Sequence, residues 1–148
     1  MKVVAFLLPD KMMIETLNKK DAGTWYSTGD CTILPLHASD VELGNCVLNH
    51  LKQSKEKDSS YDQIRENWKL MIKKAGFKTE KAFLQYVKRV SIIVDDRKMI
   101  FEPFKINIPK KTFYRLPDFI KEIEYIPENF EAIGKELKNS WSKCFSTS

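Results

Sequence analysis

Apolar positions along the chain alternate between two spacings, and each switch marks an element. Lys2 to Leu8 is a continuous apolar run after its first residue, stopped at Pro9, and reads as a strand. Lys11 to Lys20 fits either a helical turn or a second strand. Ala22-Gly23 and Ser27 to Asp30 are turn-rich, leaving Thr24-Trp25-Tyr26 as a short strand between them. Thr32 to Leu36 is β-branched and apolar, another strand. Ser39 then opens a helix. Ser39 and Glu42 have capping-box spacing, in which the hydroxyl accepts from the backbone three residues on and the carboxylate reaches back. Leu43, Val47, Leu48 and Leu51 form its buried stripe.

The stretch Gln53 to Ser60 has nothing to bury and reads as a solvated polar connector. From Tyr61 to Ala75 the helical period returns, with Ile64, Trp68, Met71, Ile72 and Ala75 on one face and Gly76 as the stop. Thr79 caps a further helix lined by Phe83, Leu84 and Val87. Val90 to Val94, the turn Asp95-Asp96 and the segment Lys98 to Ile108 make a hairpin. Pro103 places part of its second strand at an edge or bulge, because proline cannot donate to a ladder. Ile120 to Ile126 alternates as a strand, and Pro127 leads into a closing helix that runs to about Lys143. Hairpins with segregated helices predict an α+β fold: a mostly antiparallel central sheet with about four helices packed against it.

One internal echo is present. Ile33 to Leu51 and Ile123 to Trp141 both run strand, proline, helix. Superposing Gly44 on Gly134 aligns Leu43 with Ile133, Val47 with Leu137 and Leu51 with Trp141. Glycine inside a helix costs roughly 1 kcal/mol against alanine. The expected use is close packing of that helix on a neighbouring sheet.

Length and composition fit this picture. The 148 residues suffice for one domain, residues 1–148, able to bury roughly 68–70% of the unfolded surface. Hydrophobic residues are 43% and charged residues 30%, values that exclude disorder of the whole chain. Three cysteines (Cys31, Cys46, Cys144) without CxxC spacing argue against disulfides and zinc. The histidines, His37 and His50, have no cysteine at ligand spacing, so neither metal nor cofactor is expected. The first apolar run is shorter than an export signal requires, and no segment approaches the ~20 apolar residues of a membrane span. The expected location is the cytoplasm.

Candidate chemistry is sparse. Phosphate-cradling glycine motifs and the GxSxG elbow are absent from the sequence. Cys46 and His50 stand at i, i+4 on the first helix, but a catalytic pair would need a third group to orient the base. The better reading makes Cys46 a core-edge residue and His50 a solvated one. The net charge is +5 and the isoelectric point about 9.0, favouring an acidic partner. Arg65, Lys69 and Lys73 form a basic stripe, with Lys74, Lys78, Lys81, Lys88 and Arg89 nearby. A nucleic-acid-binding module would use such a stripe on phosphates. Glu122, Glu124, Glu128 and Glu131 form an opposing acidic band suited to a basic partner.

Asp40 to Gly44, Asn67-Trp68-Lys69, Ala75 to Lys78, Lys81-Ala82-Phe83, Val90 to Asp96, Leu116-Pro117 and Gly134 together resemble the CdiI family of immunity proteins from contact-dependent growth inhibition systems. The resemblance spans about Trp25 to Cys144. It implies a non-enzymatic bacterial protein that binds the C-terminal toxin domain of its own system, commonly a tRNA-cleaving nuclease. The acidic band, Glu122, Glu124, Glu128 and Glu131, together with Asp95 and Asp96, is then the expected toxin contact. No membrane and no direct nucleic-acid partner are expected. The rival readings are the nucleic-acid module above and a small enzyme, which a deep cleft of polar groups with perturbed pKa values would revive.

Overall fold

A computed structural model describes all residues except Ala22, so that residue's share of the expected Ala22-Gly23 turn lies outside the described residues. Strands β1 (Lys2–Leu7), β2 (Lys11–Lys19) and β3 (Trp25–Pro35) form a meander. Helices α1 (Asp40–Gln53), α2 (Tyr61–Lys74) and α3 (Glu80–Tyr86) follow. Then come β4 (Lys88–Asp95), β5 (Lys98–Asn107), β6 (Thr112–Arg115), β7 (Lys121–Glu124), α4 (Phe130–Trp141) and β8 (Phe145–Thr147). The strands make one sheet in the order β3-β2-β1-β4-β5-β6, with β7 and β8 also on β5. Every pairing is antiparallel except β5 with β8. The α+β expectation holds: helices cover both faces of a mostly antiparallel sheet.

Side chains on a strand point alternately to opposite faces, which gives this sheet two cores. Val3, Ala5, Ile14, Val90, Ile92 and Phe101 face α1 and α4. Val4, Phe6, Met13, Leu17 and Ile106 face α2 and α3. On the first face the echoed glycines meet each other. A Cβ on Gly44 would lie 1.9 Å from the carbonyl oxygen of Phe130, and one on Gly134 would lie 2.0 Å from that of Asp40. The expectation of glycine packing on a sheet is therefore corrected. The two glycines let helix approach helix, each admitting the other's backbone one turn before its glycine.

Several expectations shift in detail. Lys11 to Lys20 resolves as a strand. The two short strands around Ser27 to Asp30 are one long β3, because Gly29 (φ 76°) and a register shift between Glu15 and Leu17 keep the turn-prone residues inside the ladder. Glycine takes that left-handed conformation without steric cost. Pro103 is not on an edge strand. It stands where β5 changes partners, from β4 and β7 on Lys98–Pro103 to β6 and β8 on Phe104–Asn107, so the missing N–H falls at the handover. The strand expected over Ile120 to Ile126 shrinks to Lys121–Glu124, and β6 and β8 were not foreseen.

The stretch Gln53 to Ser60 is pinned and not freely solvated. Ser54 Oγ receives the Lys2 N–H at 3.0 Å and donates to Leu17 O at 2.6 Å, while Tyr26 donates its hydroxyl to Lys57 O at 2.6 Å. All three predicted helix starts hold, including Ser39, whose Oγ accepts from Glu42 N at 3.1 Å. The Glu42 carboxylate meets the Ser39 hydroxyl at 3.3 Å, where the capping box expected the backbone.

Candidate functional site

Glu122 and Glu124 stand on β7, which pairs with the start of β5, so Glu124 lies opposite Lys98 and Lys98 opposite Asp95. The fold thus brings Glu122, Glu124, Asp95 and Asp96 to one end of the sheet. Asp96 adopts φ 57° at the hairpin turn, a conformation short polar side chains tolerate. Glu128 and Glu131 sit apart from the sheet, one in the turn before α4 and one in its first turn. All six are exposed, and Glu122 is paired with Lys98 at 3.5 Å. The band is interleaved with cations and holds no buried polar group that awaits a partner.

The basic stripe divides. Arg65, Lys69 and Lys73 are exposed on α2 and border a shallow groove against α3, with Glu80 and Lys78 also in its wall. Lys69 is already paired with Glu66 at 3.4 Å. Lys74 donates to Gly29 O at 2.9 Å and serves to hold α2 on β3. Arg89 leaves the stripe altogether, because β4 carries it onto the sheet face beneath α2.

His50 corrects its sequence reading: it is only 4% exposed. Its Nδ1 lies 2.7 Å from Thr16 Oγ1 and its Nε2 lies 2.8 Å from Thr32 Oγ1, so both ring nitrogens are occupied by β2 and β3. Desolvation lowers its pKa. Cys46, by contrast, is buried much as expected, and burial raises its thiol pKa, which disfavours the nucleophilic thiolate.

A further concavity lies elsewhere, between the N-terminal half of α2 and the face of β1, β2 and β3. It is a cleft of about 730 Å³. Trp25, Trp68 and Phe113 wall it, and Lys2, Glu15, Lys20 and Arg89 supply its charged lining. Glu15 is 1% exposed. One of its carboxylate oxygens accepts from the Ser27 hydroxyl and, at 2.9 Å, from Gly29 N–H. Its other oxygen, Oε1, is buried without a partner. Burial pushes its pKa up to about 7, against the opposing pull of those two hydrogen bonds.

Arg89 lies between two rings, its guanidinium carbon 4.6 Å from the Phe104 centroid and 4.4 Å from that of Phe113. Its Nε is also buried without a partner, and desolvation lowers its pKa to about 10. Glu102, the neighbouring carboxylate, is shared between Lys2 at 3.8 Å and Arg115 at 3.4 Å. Among the described residues Arg89 makes no ion pair.

This cleft was missed at the level of sequence. Its signal was Glu15, a lone acid in the apolar run from Met12 to Leu17, but that run had not been assigned as a strand. Nor was its face known. The cleft gathers ionisable groups of perturbed pKa, which is part of what a small-enzyme reading requires, but it is broadly open and not the deep pocket that reading calls for.

Residues 4–144 match the CdiI family, described as CDI immunity protein. No curated protein matches. Among solved structures, a protein of unknown function from Neisseria meningitidis superposes with a TM-score of 0.81 at 20% identity, covering 97% of this chain and 94% of that one. A CdiA-CT/CdiI toxin and immunity complex from Yersinia pseudotuberculosis gives 0.74 at 16% identity, covering 97% of this chain and 96% of that one. At these identities the two structures establish a shared fold.

Proposed function

The chain belongs to the CDI immunity protein family, and from that premise we propose that it neutralises one toxin, the C-terminal domain of its own contact-dependent growth inhibition system, by stoichiometric occlusion. The toxin is a tRNA-cleaving nuclease, and this chain covers its active site or substrate entrance. The observation that carries the reading is the family match over residues 4–144. The fold suits the task, since a sheet clamped between helices on both faces presents a stiff surface. An interface of ordinary size needs roughly 800 Å² from each partner, with a few buried aromatic or charged anchors supplying most of the affinity.

The test is co-expression with the toxin domain encoded beside this chain. The two are expected to co-purify one to one, and tRNA cleavage by that domain is expected to stop at equimolar inhibitor. A toxin domain that stays fully active under excess of this protein defeats the reading. Turnover of a substrate by the purified chain alone moves it to catalysis.

A further inference from the structure

The cleft beneath α2 contains an electrostatic imbalance that the protein does not resolve by itself. Taking a charge out of water is costly unless an opposite charge or a full set of hydrogen bonds replaces the water. Arg89 has two aromatic faces in place of that water but no carboxylate at ion-pair distance: Glu102 is divided between Lys2 and Arg115, and Glu15 and Glu102 favour its charge only from farther away. Its Nε donor is buried and unused, and so is Glu15 Oε1. Both line the cleft, together with Lys2 and Lys20. The lining therefore carries three cations against one acid. That acid is held by Ser27 and Gly29 through a single oxygen.

We propose that this cleft is the toxin-docking site, and that an acidic side chain of the toxin enters it to pair with Arg89 and Lys2. The proposal rests on the immunity reading above and specifies where and by what chemistry the partner is held. An entering carboxylate accepts from the end of the Arg89 guanidinium that faces the cleft, where the residue is only half-buried. Phe104 and Phe113 hold the guanidinium in place before binding, so little side-chain freedom remains to be lost.

The walls suit an interface anchor. Tryptophan, tyrosine and arginine dominate binding hot spots, and the cleft offers Trp25, Trp68, Tyr26 and Arg89 within one concavity. Tyr61 stands outside that cluster, 75% exposed at the mouth, where a substitution changes the local charge. Charge supports the choice of an acidic occupant: the whole chain carries +5, and the exposed acidic band contains no comparable buried vacancy.

The experiment measures the affinity of the wild-type chain and four variants for the catalytically inactivated C-terminal toxin domain of its own system. Arg89→Met removes the charge and its two cation–π contacts while leaving a shorter apolar side chain beside the rings, and is expected to weaken binding about 30-fold or more. Tyr61→Glu places a negative charge at the mouth without touching the core and is expected to weaken binding about 10-fold. Tyr61→Lys is expected to bind within about 3-fold of wild type, which separates charge from loss of the ring. The double variant Glu122→Lys with Glu124→Lys is also expected within about 3-fold.

Thermal unfolding of each variant identifies any that fails to fold, and the Tyr61 pair stands even if Arg89→Met does not. Wild-type affinity in both Arg89→Met and Tyr61→Glu overturns the docking site. So does a loss confined to the Glu122 and Glu124 variant, or an equal loss in both Tyr61 variants. Failure of the wild-type chain itself to bind that domain removes the immunity reading instead, so the two failures are distinguishable.

Discussion

The two faces of the sheet are built on opposite principles. On the α1 and α4 face, glycine meets backbone, apolar side chains fill the layer, and two of the largest polar side chains that enter, Trp141 and His50, are satisfied. Trp141 donates its indole N–H to Ala5 O at 3.2 Å, and His50 is held by two threonines. On the α2 and α3 face the apolar cover ends part-way along the strands. Beyond Phe6 and Met13 the same face carries Lys2, Glu15, Ser91 and Glu102, and α2 leaves a cleft over part of that row. A face that is closed and satisfied has little left to offer a partner. The open face retains unpaired donors, acceptors and aromatic surface, and that residue of unsatisfied chemistry distinguishes a binding surface from a scaffold.

The largest test breaks the closed face. Gly44→Ala or Gly134→Ala places a methyl within 2.0 Å of a partner carbonyl, a clash with backbone that no rotamer change relieves. The gain of roughly 1 kcal/mol in helix propensity is overwhelmed. Each variant is expected to lose about 3 kcal/mol or more in urea unfolding. The double variant is expected to lose less than the sum, since both methyls part the same two helices. Unchanged stability in either single variant would contradict the reciprocal contact.

The pH response separates the faces next. Glu15 has its pKa raised from 4.5 to about 7 in the folded protein. The folded state therefore holds that proton more tightly, and the associated stability is present below pH 4.5 and lost as pH rises towards 7. At 1.36 kcal/mol per unit the whole step is about 3 kcal/mol. Glu15→Gln is expected to remove this decline, seen by denaturant unfolding between pH 4.5 and 8. His50, on the opposite face, has the opposite sign. Its pKa is lowered by burial, so its contribution is present above the ordinary histidine range and lost as pH falls through the depressed value. In a Glu15→Gln background the acid-side loss should stand alone. His50→Gln should abolish it, at a cost of about 2 kcal/mol near neutrality for the disrupted threonine contacts. Identical pH profiles for the two variants would erase the contrast between the faces.

Much of the closed face was legible in the sequence. The stripe Leu43, Val47, Leu48, Leu51 and its Ser39 cap announce a packed helix, because helical period and local capping are encoded within one segment, and the Gly44/Gly134 echo marks two close approaches. What the echo could not say was which element each glycine would meet, since that depends on how α1 and α4 cross. The open face was poorly legible for a related reason. Lys2, Glu15 and Arg89 are scattered over three strands, and only strand pairing, with Val4 opposite Glu15 on one side and Phe6 opposite Arg89 on the other, places them together. Arg89 looked like one more cation beside a basic helix. The acidic band was conspicuous because its charges are close in sequence and exposed, which is also why it holds little stored electrostatic energy.

The smallest expected effect is the most discriminating for the open face. Arg89→Met removes a desolvated cation and two cation–π contacts, each worth about 0.5–2 kcal/mol. It also relieves the cost of burying a charge that has no carboxylate of its own. The two terms oppose, so folding stability is expected to change by no more than about 1 kcal/mol, with either sign. A buried arginine that braced the fold through an ion pair would behave otherwise, since removing one partner of such a pair costs about 3–5 kcal/mol. A near-neutral result in thermal or urea unfolding would show that the fold does not require this guanidinium, leaving the cleft's charge as a feature retained for contact with something outside the chain. A loss of several kcal/mol would instead make Arg89 part of the scaffold and erase the contrast between the two faces.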